Sequence, residues 1–477
     1  MKSDVLSNFI WRFAERAGAQ VVQLIISIVL ARLLLPETFG IVALVVVIAQ
    51  IFQVFVDSGL GNALIQKKDA DDLDFSSVFW FNVVWCLVLY VIIFFLAPFF
   101  AKYYDDLSLI PIIRVLCITV IISGLKNVQQ AYISRTMQFK RFFFATLGGT
   151  IASAVVGVWL AYAGYGVWAI VAQKLVNLTI DTLVLWLTVD WRPKLIFSFE
   201  RLKGLISYGW KLLASSLLET VYSNLRQLII GKLYTPSDLA YYNQGVKFPD
   251  VISYNITSSI DSVLLPTMSK EQDDRARVKA MTRKSIIVSI YIMAPMMMGL
   301  AFCADTVVSV FLTDKWLPCV LFMRVFCITY MFYPIHTANL NALKAIGRSD
   351  LFLKLEIEKK IVGIILLLSS MWFGVKVMAY SMLISSVTSQ IINTRPNKKE
   401  LDYGYLEQLK DILPSLLLAV GMGMCVWLVG FIPMPLIIKL LAQVLVGISV
   451  YVFMSYILKI KPFMYLSTII KAKLIKK

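Results

Sequence analysis

Charged residues are scarce in this chain of 477 residues. Aspartate, glutamate, lysine and arginine make up only 16% of it, whereas 59% of the residues are hydrophobic. So few charges cannot cover the surface of a water-soluble globular protein of this length, which excludes a soluble fold. At about 20 residues per membrane-spanning helix, the hydrophobic content corresponds to roughly 14 spans. The composition therefore predicts an all-α polytopic membrane protein.

Histidine and paired cysteine, the usual ligands of transition metals, are also nearly absent. The chain has one histidine, His336, and six cysteines that form neither a CxxC pair nor a Cys/His cluster. This excludes a metal site built from two histidines. No GxxxxGK(S/T), GxSxG or HExxH motif occurs, so we predict no enzyme activity, no cofactor and no metal. His336 could sense protons near neutral pH, but a hydrogen-bonded histidine within a helix bundle is the simpler interpretation.

Apolar segments bounded by charged residues or helix breakers recur along the whole chain. Each of the following is long enough to cross a bilayer. They lie near residues 8–34, 40–65, 77–100, 108–134, 141–163, 166–189, 204–231, 238–265, 283–305, 317–343, 352–373, 375–394, 412–430 and 435–458.

The net charge of +17 would suggest nucleic acid as a partner of a soluble protein. In a membrane protein, however, lysine and arginine collect in the cytosolic loops. With the spans above, most basic residues fall in alternate loops, including the run from Lys270 to Lys284. This distribution predicts that both termini are cytosolic and that the basic tail lies on an anionic membrane surface. We expect membrane lipids, and not nucleic acid, as partners.

Short motifs recur at nearly constant spacing, which indicates an internal duplication. The matching segments are ARLLLPETFG (31–40) with GKLYTPSDLA (231–240), RVLCIT (114–119) with RVFCIT (324–329), and GYGVWA (164–169) with GVKVMA (374–379). The first pair is offset by 200 residues and the other two by 210. An even number of spans separates the copies, so both copies cross the membrane in the same direction.

The duplication predicts two parallel-repeat lobes of six helices each, followed by a helix pair. The expected divisions are 1–190, 191–394 and 395–477, the last containing helices 13 and 14 and the basic tail. Two such lobes imply a cavity on the axis between them, which is the architecture of an alternating-access transporter.

Polar residues recur at helical spacing within several predicted spans, where they are costly and need a use. A cavity lined by basic side chains suits an anionic cargo. The substrate-binding candidates are Arg12, Arg16, Lys126, Lys174, Lys211, Arg226 and Lys247, and the candidates for ion coupling are Asp57, Glu219, Asp250, Asp261 and Asp181. Mutual neutralisation is an equal alternative for the acids. It would pair Glu15 with Arg12 or Arg16, Lys174 with Asp181, and Glu219 with Lys211 or Arg226.

Several segments give the chain a resemblance to a known family. They are ARLLLPETFGIVAL (31–44), VDSGLGNALIQKKD (56–69), SRTMQFKRF (134–142), WRPKLIFS (191–198), LIIGKLYTPSDLAYYNQG (228–245) and SVLLPTMSKEQDD (262–274). They resemble the Wzx-type polysaccharide transporters of the multidrug/oligosaccharidyl-lipid/polysaccharide exporter superfamily, especially the colanic-acid and teichuronic-acid exporter branch. The chain departs from relatives that read LGYYNRA, because it has Gln244 and Gly245 at the end of that motif.

This resemblance implies a flippase of the bacterial plasma membrane. Its cargo would be an undecaprenyl-diphosphate-linked oligosaccharide, an anionic lipid-linked glycan, moved from the inner to the outer leaflet. A polysaccharide polymerase and assembly proteins are the further partners implied. One alternative is an ion-coupled multidrug antiporter of the same superfamily, which would need a cavity dominated by carboxylates and aromatic cages. Another is a membrane-embedded glycosyltransferase or polymerase, which would need catalytic carboxylates and usually a large outer loop.

Overall fold

A computed structural model describes the backbone of residues 2–57 and 59–475. It describes the side chains of residues 18–57, 59–138, 140–348 and 350–468. All regular secondary structure within these ranges is helical. The chain divides into two compact units, Met1–Ala240 and Tyr241–Lys477. The division into lobes at residues 190 and 394 stays a prediction.

The first unit contains nine helices and the start of a tenth among the residues described. They are α1 Lys2–Leu33, α2 Pro36–Asp57, α3 Leu60–Gln66, α4 Asp72–Tyr104, α5 Leu109–Leu116, α6 Ile118–Thr136, α7 Phe139–Tyr162, α8 Val167–Thr188, α9 Phe199–Leu233 and α10 Pro236–Ser269. Helix α10 continues into the second unit.

The second unit is completed by nine further helices in the described part of the chain. They are α11 Arg275–Phe302, α12 Ala304–Phe311, α13 Cys319–Met331, α14 Tyr333–Ala345, α15 Ser349–Ser370, α16 Val375–Leu401, α17 Tyr405–Gly430, α18 Leu436–Ile457 and α19 Lys461–Ile475. A short 3₁₀ helix, Asp314–Trp316, precedes α13.

Every predicted span coincides with helical structure, and ten helical segments of the described chain are long and apolar enough to cross a membrane. The protein is therefore a polytopic helical membrane protein. The segments predicted at 8–34, 204–231, 238–265 and 352–373 are helical but are not among the ten. The total of 14 crossings stays a prediction.

Four predicted spans of the described chain are interrupted, one of them, 283–305, only near its end at Cys303. The interruptions place polar backbone groups at the breaks. The span predicted at 40–65 divides at Gly59, whose φ of 70° lies in the left-handed region. A Cβ atom there would lie 2.5 Å from the carbonyl oxygen of Gly209, so only glycine fits. The spans predicted at 108–134 and 317–343 divide at Cys117 and Phe332.

The second copy of the duplicated proline motif begins helix α10 with a reciprocal cap. The Thr235 hydroxyl accepts a hydrogen bond from Asp238 N at 3.2 Å, and the Asp238 carboxylate accepts one from Thr235 N at 3.2 Å. Pro236 occupies the first helical position, where a missing N–H costs nothing. Gly40, in the first copy, faces this start so closely that a Cβ would lie 1.7 Å from the Pro236 oxygen. The two copies therefore meet with backbone against backbone.

The segment between α8 and α9 is held along the start of α4. Trp191 is buried in an aromatic cluster with Phe75 and Phe79. Trp80 Nε1 donates a hydrogen bond to the Lys194 carbonyl at 2.9 Å, and Ser198 N donates to Ser77 Oγ at 2.9 Å. This connection is therefore a packed part of the first unit.

Candidate functional site

A lysine and an aspartate form a buried ion pair among the helices of the first unit. Lys126 Nζ, on α6, lies 2.5 Å from Asp181 Oδ2, on α8, and the two side chains are 14% and 9% exposed. Since an isolated charge is costly among apolar helices, each member compensates the other. The second oxygen, Asp181 Oδ1, is buried without a hydrogen-bond partner among the described residues.

A second carboxylate approaches the same lysine from the end of α2. Asp57 accepts a hydrogen bond from Gln53 Nε2 at 3.4 Å, and the positive charge of Lys126 acts on it. The neighbour of Lys126, Asn127, donates to the Val56 carbonyl at 3.1 Å and so ties α6 to the end of α2. Asp57, which is exposed, therefore follows directly after the residue of α2 that is tied to α6.

Polar groups continue from Asp181 along α8 toward α7. Asn177, one turn before Asp181, donates to Thr150 Oγ1 and to Ser153 Oγ, both at 3.3 Å. Lys174 lies a further turn back on α8 and is half-buried. Lys126, Asp181, Asp57 and Asn177, with the hydroxyls on α7, form what we call the first cluster.

The alternative that pairs Asp181 with Lys174 is wrong, because Asp181 pairs with Lys126 from another helix. No ion pair reaches Lys174 from the side chains that the structure describes. The two residues share a face of α8, but a face of one helix does not determine which neighbouring helix supplies the partner.

The other candidates of the first unit lie apart from this pair or outside the described residues. Lys211 and Glu219 are exposed on α9, and no ion pair reaches Lys211 within the described part of the chain. Glu219 and half-buried Arg226 both take part in polar or charge interactions. The remaining candidates and their proposed partner, Arg12, Arg16 and Glu15, lie outside the described side chains.

The only histidine is hydrogen-bonded inside the second unit. His336 Nδ1, on α14, lies 3.0 Å from Asn393 Nδ2, on α16. The amide holds the Nδ1 edge of the ring, which is the simpler of the two interpretations of His336 from the sequence. The proton-sensing alternative stays untested.

Buried amides extend from Asn393 in a network that sequence reasoning did not identify. Asn339 and Gln408 exchange two amide hydrogen bonds of 2.9 Å each. Asn397 Nδ2 donates to the carbonyls of Asn339 and Asn393, both at 3.2 Å. Asn393 and Asn397 are four residues apart, so their position on one face of an apolar helix was a signal that could have found them.

A cavity of about 280 Å³ opens beside His336, wholly within the second unit. Lys359, on α15, and Tyr333, on α14, also line it. We call this the His336 cavity. Lys359 Nζ pairs with Glu356 Oε1 at 2.6 Å on the same helix.

The candidates on α10 lie elsewhere in the second unit. Asp261 is exposed and accepts a hydrogen bond from Asn341 Nδ2 at 2.8 Å. Asp250 is also exposed, and Lys247 is half-buried and takes part in polar or charge interactions. They are not part of the lining of the His336 cavity.

The ion pair and the histidine contact occupy corresponding places in the duplication. Lys126 and His336 differ by the 210-residue repeat offset, and their partners Asp181 and Asn393 depart from that offset by two residues. The contact joins α6 to α8 in the first unit and α14 to α16 in the second, so in each unit it skips one helix. The duplication therefore preserved the position of a polar contact while its chemistry changed.

These features define a polytopic membrane protein with polar clusters buried between its helices, an arrangement typical of secondary transporters. The chain belongs to the polysaccharide biosynthesis protein family, whose model matches residues 29–321. The family resemblance of its sequence motifs is thereby confirmed.

Named relatives agree with this family. The chain is 24% identical to the succinoglycan biosynthesis transport protein ExoT of Rhizobium meliloti, over 65% of the chain and 63% of ExoT. It is 24% identical to the teichuronic acid biosynthesis protein TuaB of Bacillus subtilis, over 63% of the chain and 62% of TuaB. It is 22% identical to the lipopolysaccharide biosynthesis protein WzxC of Escherichia coli, over 69% of the chain and 68% of WzxC. The chain thus matches a little under two thirds of the length of ExoT and TuaB.

Solved structures share the fold. The lipid II flippase MurJ, in an inward closed conformation, superposes with a TM-score of 0.77 at 14% identity, covering 94% of this chain and 98% of MurJ. A multidrug resistance MATE family transporter in its inward-facing conformation gives a TM-score of 0.63 at 14% identity, covering 82% of this chain and 98% of the transporter. At these identities, the likeness establishes the fold.

Proposed function

We propose that this protein is a flippase that moves an undecaprenyl-diphosphate-linked oligosaccharide from the inner to the outer leaflet of the bacterial plasma membrane. The family match and the names of ExoT, TuaB and WzxC support the polysaccharide precursor as cargo. The fold shared with the lipid II flippase MurJ supports a lipid-linked form of it. The protein acts by transport, without catalytic chemistry of its own.

The observation that carries the proposal is the buried ion pair of Lys126 with Asp181 in an apolar bundle. The ammonium contacts Asp181 directly and acts on Asp57. A diphosphate presents several anionic oxygens, each able to accept a charge-assisted hydrogen bond from Lys126. The cargo would thus take the place of Asp181 on Lys126. Lys174, two turns before Asp181, adds a second cation on α8.

Displacement of Asp181 also suggests how ion coupling works. A carboxylate released from Lys126 needs a new counter-charge, and a proton or sodium ion can supply it. We assign this role first to Asp181 and Asp57, and keep Glu219, Asp250 and Asp261 as further candidates. Arg12, Arg16, Lys211, Arg226 and Lys247 complete the proposed set of cargo-binding cations.

The proposed architecture has 14 spans in two parallel six-helix lobes and a terminal helix pair. The lobes comprise residues 1–190 and 191–394, with residues 395–477 appended. Both termini are cytosolic, as the distribution of basic residues among the loops suggests. Rocking of the lobes then exposes the cargo site to each side in turn. A polysaccharide polymerase and assembly proteins are the proposed partners on the outer side.

An ion-coupled multidrug antiporter is the second candidate, favoured by the two carboxylates of the first cluster and the MATE-like fold. The two candidates differ in cargo charge. A flippase needs Lys126 to hold an anion, whereas an antiporter needs Asp57 or Asp181 to hold a cation.

The test is transfer of fluorescent undecaprenyl-diphosphate oligosaccharide across reconstituted liposomes. We expect transfer by the wild type, its loss in Lys126→Met, and wild-type transfer in the control Lys203→Met, whose side chain is exposed on α9. Wild-type liposomes that transport a cationic dye and no lipid-linked glycan would refute the flippase and support the antiporter.

A further inference from the structure

The His336 cavity is lined almost entirely by polar side chains. It lies between α10, α13, α14, α15 and α16, and Met382 is the one lining residue without a hydroxyl, imidazole or ammonium group. Apolar helices would not keep such a set together for packing, because each polar group costs free energy when it is buried. The lining therefore indicates a polar occupant.

Three of the lining hydroxyls have no protein partner among the described residues. Ser385 and Ser389 lie on α16 four residues apart, and Thr337 follows His336 on α14. Each hydroxyl offers one donor and two acceptor positions. Other lining hydroxyls, such as that of Thr257, already donate to a carbonyl of their own helix. These three hydroxyls suit a ligand that both donates and accepts hydrogen bonds.

The charged side chain that lines the cavity is compensated by a neighbouring carboxylate. Lys359 is the one lysine or arginine side chain of the lining, and its ammonium is compensated by Glu356 at 2.6 Å. His336 is held by the Asn393 amide at its Nδ1 edge. Because Glu356 already compensates this ammonium, a neutral ligand that accepts a hydrogen bond from Lys359 can occupy the cavity without breaking the ion pair.

Size and shape narrow the occupant further. A volume of about 280 Å³ lies at the small end of ligand pockets, which span roughly 300–1,000 Å³, and therefore suits one sugar ring better than a whole oligosaccharide. Tyr333 lines the cavity and packs against Tyr330 in a tilted arrangement, with ring centroids 4.6 Å apart and an interplanar angle of 38°. An aromatic ring that is fixed in this way offers a flat apolar surface for the C–H face of a sugar.

We propose that the His336 cavity binds one neutral sugar residue of the transported glycan. The proposal rests on the function proposed above and extends it, because it assigns sugar recognition to hydroxyls on α14 and α16. The Ser385, Ser389 and Thr337 hydroxyls exchange hydrogen bonds with the sugar hydroxyls, Lys359 donates to one of them, and Tyr333 packs against the ring.

The first experiment measures sugar binding without transport. Purified protein in lipid nanodiscs is probed by saturation-transfer NMR with methyl glucoside, methyl N-acetylglucosaminide and methyl glucuronide. We expect signal from at least one neutral glycoside, about tenfold weaker binding in Ser385→Ala/Ser389→Ala after loss of two hydrogen bonds, and unchanged binding in the control Thr388→Val. Thr388 lies on the same helix, but its hydroxyl already donates to the Ile384 carbonyl.

Three outcomes of this experiment would overturn the proposal. They are no signal from any neutral glycoside, tighter binding of the glucuronide than of the glucoside, and an equal loss of binding in Thr388→Val. Thermal unfolding of each variant, followed in parallel, verifies that the double variant is folded. If it is not, Ser385→Ala alone is used, for which a smaller loss of affinity is expected.

The second experiment connects the cavity to the cargo. Liposome transfer is measured with lipid diphosphates that carry either no sugar or the complete oligosaccharide. We expect Ser385→Ala/Ser389→Ala to raise KM about tenfold for the glycan-bearing cargo, and we expect the same KM as the wild type for the sugar-free lipid diphosphate, which has no group to place in the cavity. An unchanged KM for both cargoes would show that the glycan does not occupy the cavity, and would refute this proposal. Failure of the wild type to transfer either cargo would instead refute the flippase.

Discussion

The Lys126–Asp181 pair allows the structural role of a buried lysine to be separated from its role in transport. Lys126→Met removes the ammonium and keeps the length of the side chain. It leaves the Asp181 carboxylate, which is 9% exposed and already has one unpartnered oxygen, without its ion-pair partner. Breaking a buried pair by removing one member costs about 3–5 kcal/mol in the free energy of unfolding.

The double variant Lys126→Met/Asp181→Leu should recover most of this stability. Replacing both members of a buried pair by apolar side chains is often neutral or stabilising, since neither charge is left uncompensated. The expected coupling free energy is therefore about 3 kcal/mol or more in a double-mutant cycle. Unfolding in detergent, followed by tryptophan fluorescence, measures stability, and the liposome assay measures transfer of the lipid-linked glycan.

Stability and transfer should respond differently in the double variant. The double variant regains stability but lacks the cation that binds the diphosphate, so it should remain inactive. If Lys126→Met lowered the free energy of unfolding by less than about 1 kcal/mol, the ion pair would not stabilise the helix bundle. If the double variant regained transfer together with stability, Lys126 would be a structural residue and its place in cargo binding would be refuted.

Three further predictions follow from contacts outside this pair. Gly40→Ala should destabilise the protein by about 1–3 kcal/mol, because its Cβ would lie 1.7 Å from the Pro236 oxygen; Gly148→Ala, with nothing within 4 Å of the new Cβ, is the control for thermal unfolding. Gln408→Leu should cost about 1–3 kcal/mol through the amide it leaves unpaired, and a second Leu at its partner Asn339 should recover part of the loss; no recovery would contradict the pairing. Asp71 caps α4, and its pKa is lowered chiefly by the hydrogen bond from Asp74 N. The stability that its carboxylate contributes is therefore complete above the unfolded pKa of about 3.9 and is lost as pH falls through the lower folded pKa. The unfolding temperature of Asp71→Asn should therefore fall less than that of the wild type between pH 6 and pH 3, and parallel curves would refute this.

Hydrophobicity alone located the helices because each must be long and apolar to cross a membrane. All the predicted spans coincide with helical structure. The breaks were less visible. The start of α14 has a signal, Pro334 in its first turn, whereas the break at Cys117 has neither proline nor glycine beside it. It depends on how neighbouring helices pack, which one sequence does not specify.

Pairing partners were the least predictable feature for the same reason. Helical spacing shows which residues share a face, so it grouped Asp181 with Lys174 on one helix. It does not give the rotation of one helix against another, which brings Lys126 to Asp181. The amides of Asn393 and Asn397 carry no charge, so a pattern of charged residues does not reveal them, and the buried contacts that they make join neutral groups.

That contrast gives the duplication a functional interpretation. Corresponding helices hold Lys126 against Asp181 in the first unit and His336 against Asn393 in the second. A lipid-linked glycan also has two chemically different parts, a charged diphosphate and a sugar chain with neutral hydroxyls. If the two copies have specialised for these parts, placing the lysine of the first copy at the corresponding position of the second should impair sugar binding. His336→Lys would place an unpaired ammonium beside Lys359, and we expect it to weaken sugar binding without creating a second diphosphate site. A His336→Lys protein that bound methyl glucoside as tightly as the wild type would refute this division of roles.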